Sequence, residues 1–207
     1  MRHRVLLADD HALVLEGLTK QLNESDALYV VASTTKEEEI WELFVKNHPD
    51  LCVIDIEMGH TDGIEIAKKI KDYRPDTMTA LLTMHTSPWI LARAQSISPN
   101  AILLKSSPCC DIIEALTQVI ETGSYTHPMV GRILRSNSME LEHFSSLSER
   151  EIEVLQLISQ GLTTRDIATQ LNLSENTIET YRKNLFIKFE APNMAFLVKR
   201  ASDLGII

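Results

Sequence analysis

Apolar positions in the first 124 residues fall into short runs separated by stretches with helical spacing. The runs Val5 to Ala8, Tyr29 to Ser33, Leu51 to Asp55, Thr79 to Thr83 and Ala101 to Lys105 predict five β-strands. Between them Leu13, Leu18 and Leu22, then Ile40, Leu43 and Phe44, then Ile64, Ala67 and Ile70 recur at spacings of about three, four and five, which predicts amphipathic helices. Strands alternating with helices imply a parallel sheet covered on both faces, an α/β doubly wound domain over residues 1–124.

The periodicity weakens beyond residue 122, where Gly123, Pro128, Gly131 and the cluster Ser136, Asn137 and Ser138 punctuate the chain. Residues 125–143 are expected to be a linker, with a helix over Val130 to Arg135 permitted by its pattern. Only helical patterns follow. Ser148 and Glu151 form a capping-box signature ahead of the inward face Ile152, Leu155 and Ile158, and Gly161 ends that helix. A second helix is expected over Thr164 to Leu171. Ser174 can cap a third reaching Phe189, and Asn193 a fourth reaching Leu204. Residues 144–207 therefore predict an all-α domain of four helices.

The apolar runs are far shorter than the roughly 20 residues of a membrane span, and the N-terminal residues carry no secretory cleavage pattern, so a soluble, cytoplasmic protein is expected with no membrane partner. Cys52 lies in a strand pattern, and Cys109 and Cys110 are adjacent without metal-ligand spacing, so the three cysteines are expected to be reduced thiols. The net charge of -9 is uneven: residues 1–124 hold 11 basic and 19 acidic side chains, residues 144–207 hold 7 and 8. The helical part is close to neutral, without the basic surplus usual in a DNA-binding module.

Ligands of a doubly wound sheet bind beyond the carboxyl ends of its strands. Those ends carry Asp9 and Asp10, Asp55, Thr83 and Lys105. Converging carboxylates repel by about 4 kcal/mol per pair at 4 Å and an effective dielectric near 20. A divalent cation removes that penalty, and oxygen-only ligation with room for water suits Mg²⁺. With Asp55 as nucleophile toward a phosphoryl donor, Mg²⁺ and Lys105 can neutralise the developing charge, and Thr83 can hydrogen-bond to the bound phosphoryl group.

This set resembles the flavodoxin-like receiver domain of two-component response regulators over essentially all of residues 1–124. The resemblance implies that Asp55 accepts phosphate from a histidine kinase. It also implies that Asp10 is a direct Mg²⁺ ligand, that Asp9 acts mostly through water, and that the Glu57 backbone carbonyl is a further ligand. Met58, Asp62 and Gly63 fit the loop after the acceptor. The sequence departs from the family at Gly59, where Pro is common, at Ile102, where an aromatic switch residue is usual, at Asn100-Ala101 in place of Gly-Ala, and at Ser106 after the lysine. Without an aromatic side chain at Ile102, coupled rotation of Thr83 and a ring cannot be the switch.

The segments Leu147 to Leu155, Gly161 to Thr163, Asp166 to Ala168 and Ser174 to Ile178 resemble the LuxR-type helix-turn-helix, which together with the receiver implies a NarL/FixJ-type response regulator. Ile178, Tyr181, Leu185 and Phe189 can form the buried face of the third helix. The opposite face offers Asn176, Glu179, Thr180, Lys183 and Ile187 to a major groove, with Arg182 and Lys188 flanking it toward phosphates. The family often has Lys where Glu179 stands; a Glu here can accept from cytosine N4 or weaken binding near phosphates. The stripe Met194, Leu197, Val198 and Ala201 is either a dimerisation surface or the closure of the small domain's core. The resemblance implies a homodimer on a palindromic operator. The chief alternative is a locked receiver that regulates transcription or protein partners without inducible phosphorylation. A phosphohydrolase reading lacks a second nucleophile or general acid, so no enzymatic turnover is expected.

Overall fold

The computed structural model describes residues 2–59, 61–137 and 147–207. The expected linker residues 138–143, and residues 144–146 of the expected helical domain, lie outside that description. In chain order the elements are β1 (His3–Ala8), α1 (Ala12–Glu24), β2 (Leu28–Thr34), α2 (Glu37–Asn47), β3 (Leu51–Asp55), β4 (Glu57–Met58), β5 (Thr61–Asp62), α3 (Gly63–Tyr73), β6 (Met78–Thr83), α4 (Pro88–Ser96), β7 (Ala101–Leu104), α5 (Cys109–Thr122), β8 (Tyr125–Thr126) and α6 (Pro128–Ser136). Then come α7 (Glu149–Ser159), α8 (Thr164–Leu171), α9 (Glu175–Lys188) and α10 (Met194–Asp203). The chain divides into two compact units.

The first unit is built on a parallel sheet with strand order β2-β1-β3-β6-β7-β8 among the described residues. Residues 51–55 of β3 are all buried, as expected of a strand covered on both faces. One face carries α1 and α5: Leu18, Leu22, Ile112, Leu116 and Val119 pack with Val5, Leu7, Val53 and Leu82. On α3, Ile64, Ala67 and Ile70 are buried, and that helix packs against β3 and β6. Leu13 departs from the expected stripe and is 85% exposed. The turns of α1 place Leu18 and Leu22 on one face, and a residue five positions before Leu18 falls off it.

The sheet has six strands instead of five. The sixth, β8, uses Tyr125 and Thr126 from the stretch expected to be linker. Gly123 closes α5 at φ 84°, and Asn100 holds the returning chain with its side-chain amide on the Gly123 carbonyl at 2.7 Å and its backbone carbonyl on Tyr125 N at 2.8 Å. Two residues without a clear apolar alternation carry too little pattern to be read as a strand from sequence.

In the second unit, Val154, Leu155, Ile158, Ile167, Ile178, Leu185, Phe189, Leu197 and Ala201 form one core. Three of its helix starts follow the expected caps, and Thr163 adds a fourth. Ser148 and Glu151 make a reciprocal capping box, Thr163 and Asp166 make another, and Ser174 and Asn193 each accept a backbone N–H three residues on.

Candidate phosphoacceptor site and nucleic-acid interface

Strands β1, β3, β6 and β7 are neighbours in the sheet, so the residues at their carboxyl ends meet. Asp9 and Asp55 are buried, Thr83 is 1% exposed, and Asp10 sits at the rim. Lys105 places its ammonium 2.6 Å from Asp55 Oδ2, to which it donates, and 2.8 Å from Asp9 Oδ2 as an ion pair without hydrogen-bond alignment. Asp55 Oδ1 accepts from Glu57 N at 3.2 Å, and Asp9 Oδ1 accepts from His11 N at 2.8 Å. Burial pushes the Asp55 carboxyl up to about 6 despite the Lys105 ammonium beside it. Lys105 is raised, because its carboxylate partners outweigh its burial.

Asp9, Asp10, His11 and Asp55 each offer a ligand atom, and these atoms lie within 4.8 Å of one another. Three carboxylates against one ammonium leave an excess of two negative charges. The three carboxylates and that charge fit a hard divalent cation. Thr83 Oγ1 accepts from His85 N at 2.9 Å, which leaves its O–H free to donate.

The loop after Asp55 is set by two glycines. A Cβ on Gly63 would stand 1.8 Å from the Asp55 carbonyl oxygen, so only glycine lets α3 start this close to the acceptor strand. Gly59 has φ 59°, a conformation proline cannot take, which accounts for the departure at that position. The Glu57 side chain turns to His85, with Oε1 and Nε2 2.7 Å apart, and Asp62 pairs with Arg93. Ile102 is buried in β7, paired with Leu81 on one side and Thr126 on the other. Sequence reasoning placed Gly63 in the loop after Asp55 without its steric reason, and missed His11, His85 and Arg93. The adjacency of His11 to Asp9 and Asp10 was a signal for the first, while the others depend on the folded approach of separate loops.

In the second unit α9 buries Ile178 and Leu185 and half-buries Tyr181, and Phe189, which caps its C-terminus, is buried too. Asn176, Glu179, Thr180 and Lys183 are exposed on the other side, and Ile187 is 64% exposed. Glu179 is engaged within the unit: its Oε1 accepts from the Thr164 hydroxyl at 2.7 Å and lies 3.9 Å from Arg182 Nε. Lys188 departs from the phosphate-facing expectation. Its ammonium donates to the buried Glu151 carboxylate at 2.7 Å, tying the end of α9 to the start of α7. Of the two roles expected for the α10 stripe, closure of the small domain's core accounts for part of it. Leu197 and Ala201 are fully buried in the unit's own core, while Met194 and Val198 pack partly against it.

Residues 5–117 match the response regulator receiver domain family, and residues 145–201 match bacterial regulatory proteins of the luxR family. The methanol utilization control regulatory protein MoxX of Paracoccus denitrificans is 31% identical over 94% of this chain and 89% of its own. The transcriptional regulatory protein DesR of Bacillus subtilis is 28% identical over 97% of each chain. Among solved structures, RcsB from Salmonella enterica serovar Typhimurium, bound to promoter rprA in the presence of phosphomimetic BeF3-, matches with TM-score 0.67 and 29% identity over 98% of this chain and 99% of that one. A structure of two RcsB dimers on two parallel DNAs matches with TM-score 0.66 and 28% identity over 99% of this chain and 100% of that one. The acceptor-like aspartate with its lysine in the first unit and the capped helices of the second thus have one source: this chain belongs to the response regulators that join a receiver domain to a luxR-type regulatory domain.

Proposed function

We propose that this chain is a cytoplasmic transcription regulator in which a histidine kinase phosphorylates Asp55 and thereby controls dimerisation and DNA binding by the luxR-type domain. The receiver is taken as residues 1–124 with the short strand β8 appended, and the DNA reader as residues 144–207. The observation that carries the reading is the buried Asp55 carboxylate at a strand end, 2.6 Å from the Lys105 ammonium and within the acidic cluster of Asp9 and Asp10.

An Asp55 oxygen attacks the phosphorus of a phosphohistidine; the O–P bond forms as the P–N bond breaks, and the imidazole leaves. Lys105 stays beside Asp55 and balances charge on the transferred oxygens, and the Thr83 hydroxyl donates to one of them. Asp10, Asp55 and the Glu57 carbonyl would hold Mg²⁺, with Asp9 behind them; when bound it neutralises the phosphoryl oxygens. The phosphoryl group adds about -1.5 to -2 charges to a buried strand end, enough to bias a two-state receiver. On α9, Asn176, Glu179, Thr180 and Lys183 face the major groove and Arg182 flanks them. Met194 and Val198 are the members of the α10 stripe left to contribute to a homodimer.

A second reading, a receiver without inducible phosphorylation, is favoured by Ile102, which is buried and lacks the ring of the usual switch. Selection of duplex DNA from a random pool, with and without Mg²⁺ and a small phosphodonor, separates the two. A palindrome whose enrichment rises with phosphodonor, and fails to rise for Asp55→Asn, is the expected result. Enrichment indifferent to phosphodonor supports the second reading, and no enrichment at all removes DNA from the proposal.

A further inference from the structure

We propose that His11 is a nitrogen ligand of the acidic pocket and shifts its preference from Mg²⁺ toward divalent transition ions such as Mn²⁺. This rests on the reading of that pocket as a cation site, and adds a residue and an ion class to it.

His11 precedes α1 as its N-cap, yet its side chain makes no capping hydrogen bond. Its backbone N–H donates to Asp9 Oδ1, which fixes the residue at the mouth of the pocket. Nδ1 lies 2.6 Å from Asp10 Oδ1, 3.3 Å from Asp9 Oδ1 and 3.5 Å from Lys105 Nζ. Neighbouring ligand atoms of one octahedral ion, bound at about 2.1 Å, stand roughly 3 Å apart. The two nitrogen-to-carboxylate distances bracket that edge, and the full set, with Asp55, lies within 4.8 Å. The imidazole is 61% exposed on its side chain, so it can settle onto an ion without repacking a core.

An all-oxygen pocket suits Mg²⁺, which is hard and holds its water tightly. An imidazole nitrogen contributes little to that ion and progressively more along the series from Mn²⁺ to Cu²⁺. Exchanging one water for Nδ1 therefore alters the ranking of ions more than it alters Mg²⁺ affinity.

The test uses the purified full chain loaded with Mn²⁺ and examined by electron spin-echo spectroscopy, alongside calorimetric titration with Mn²⁺ and with Mg²⁺. The expected result is a directly bound nitrogen coupled to the Mn²⁺ spin, whose pattern changes when the chain is labelled with ¹⁵N-histidine and disappears in His11→Gln. The same variant is expected to lose about tenfold in Mn²⁺ affinity and less than about threefold in Mg²⁺ affinity. Mn²⁺ bound without nitrogen coupling in the wild-type chain, or equal losses for both ions, overturns the role of His11 while leaving the cation site. Failure of both ions to bind the wild-type chain overturns the cation site itself. The isotope experiment needs no variant, so a missing histidine coupling overturns the role even if His11→Gln does not fold, and His11→Ala then assigns a coupling that is present.

Discussion

At the level of single residues, the candidate acceptor site stores an electrostatic cost. Asp55 is held up to about 6 by burial, whereas a carboxyl in the unfolded chain titrates near 3.8. Between those values the folded chain keeps a proton that the unfolded chain has lost, so stability falls as pH rises through the window, and the loss is complete above pH 6. The gap corresponds to a cost on the order of 1–3 kcal/mol. Asp55→Asn removes the ionisation, so it is expected to be more stable than wild type at pH 7.5 by about that amount without Mg²⁺, with the difference shrinking toward pH 4. Urea unfolding at both pH values measures it; equal stability at pH 7.5 would mean that Lys105 repays the whole burial cost. The acidic residues and Lys105 were legible in the sequence because a chain that alternates strands and helices puts strand ends in one place. Gly63 was legible as part of the loop after Asp55 but its necessity was not, because the reason is a close approach to the Asp55 carbonyl that no local pattern encodes.

At the level of elements, the helix starts were legible for a local reason: a cap and its partner lie within three residues of each other. Ser148, Thr163, Ser174 and Asn193 all cap in the structure, and all but Thr163 were expected to. Contacts between elements were harder. Lys188 and Glu151 are 37 positions apart, and a lysine near the end of a recognition helix reads as a phosphate contact until Glu151 is seen buried beside it. Burial pushes Glu151 up, but the Lys188 ammonium and the Ser148 hydroxyl and N–H together bring it below its ordinary 4.5. Its stabilising contribution is therefore present at neutral pH and lost as pH falls through the lowered value. Lys188→Ala leaves a buried carboxylate with Ser148 alone, and is expected to cost the helical unit about 1–3 kcal/mol at pH 7, less in acid. A double-mutant cycle with Glu151→Gln in thermal unfolding checks it. Additive effects would mean that the pair is spatially close but energetically idle. The stripe on α10 went the same way: apolar spacing located a buried face, but whether that face meets its own domain or a second copy is decided by α7 and α9.

At the level of the whole molecule, the question is how a chain of net charge -9 holds DNA. With Lys188 paired to Glu151 and Glu179 lying near Arg182, Lys183 is the exposed cation of α9 proposed to meet a duplex. Few phosphate contacts per protomer mean weak monomer binding and a shallow salt dependence, since each contact contributes roughly 0.9 to the slope of log affinity against log salt. Pairing two copies on a palindrome doubles the contacts, so phosphorylation that favours pairing can turn a poor binder into an adequate one without adding a basic residue. Removing Lys183 then counts the protomers. If Lys183 meets one phosphate in each copy, Lys183→Ala is expected to lower the salt slope on the selected operator by about two when Asp55 is phosphorylated, and by about one for a single copy on a half-site. Binding isotherms from 50 to 300 mM salt on both duplexes supply the comparison. A slope unchanged on the full operator, with affinity lost for only some sequences, would assign Lys183 to base edges instead. The same result would move the electrostatic contribution to residues outside the recognition helix.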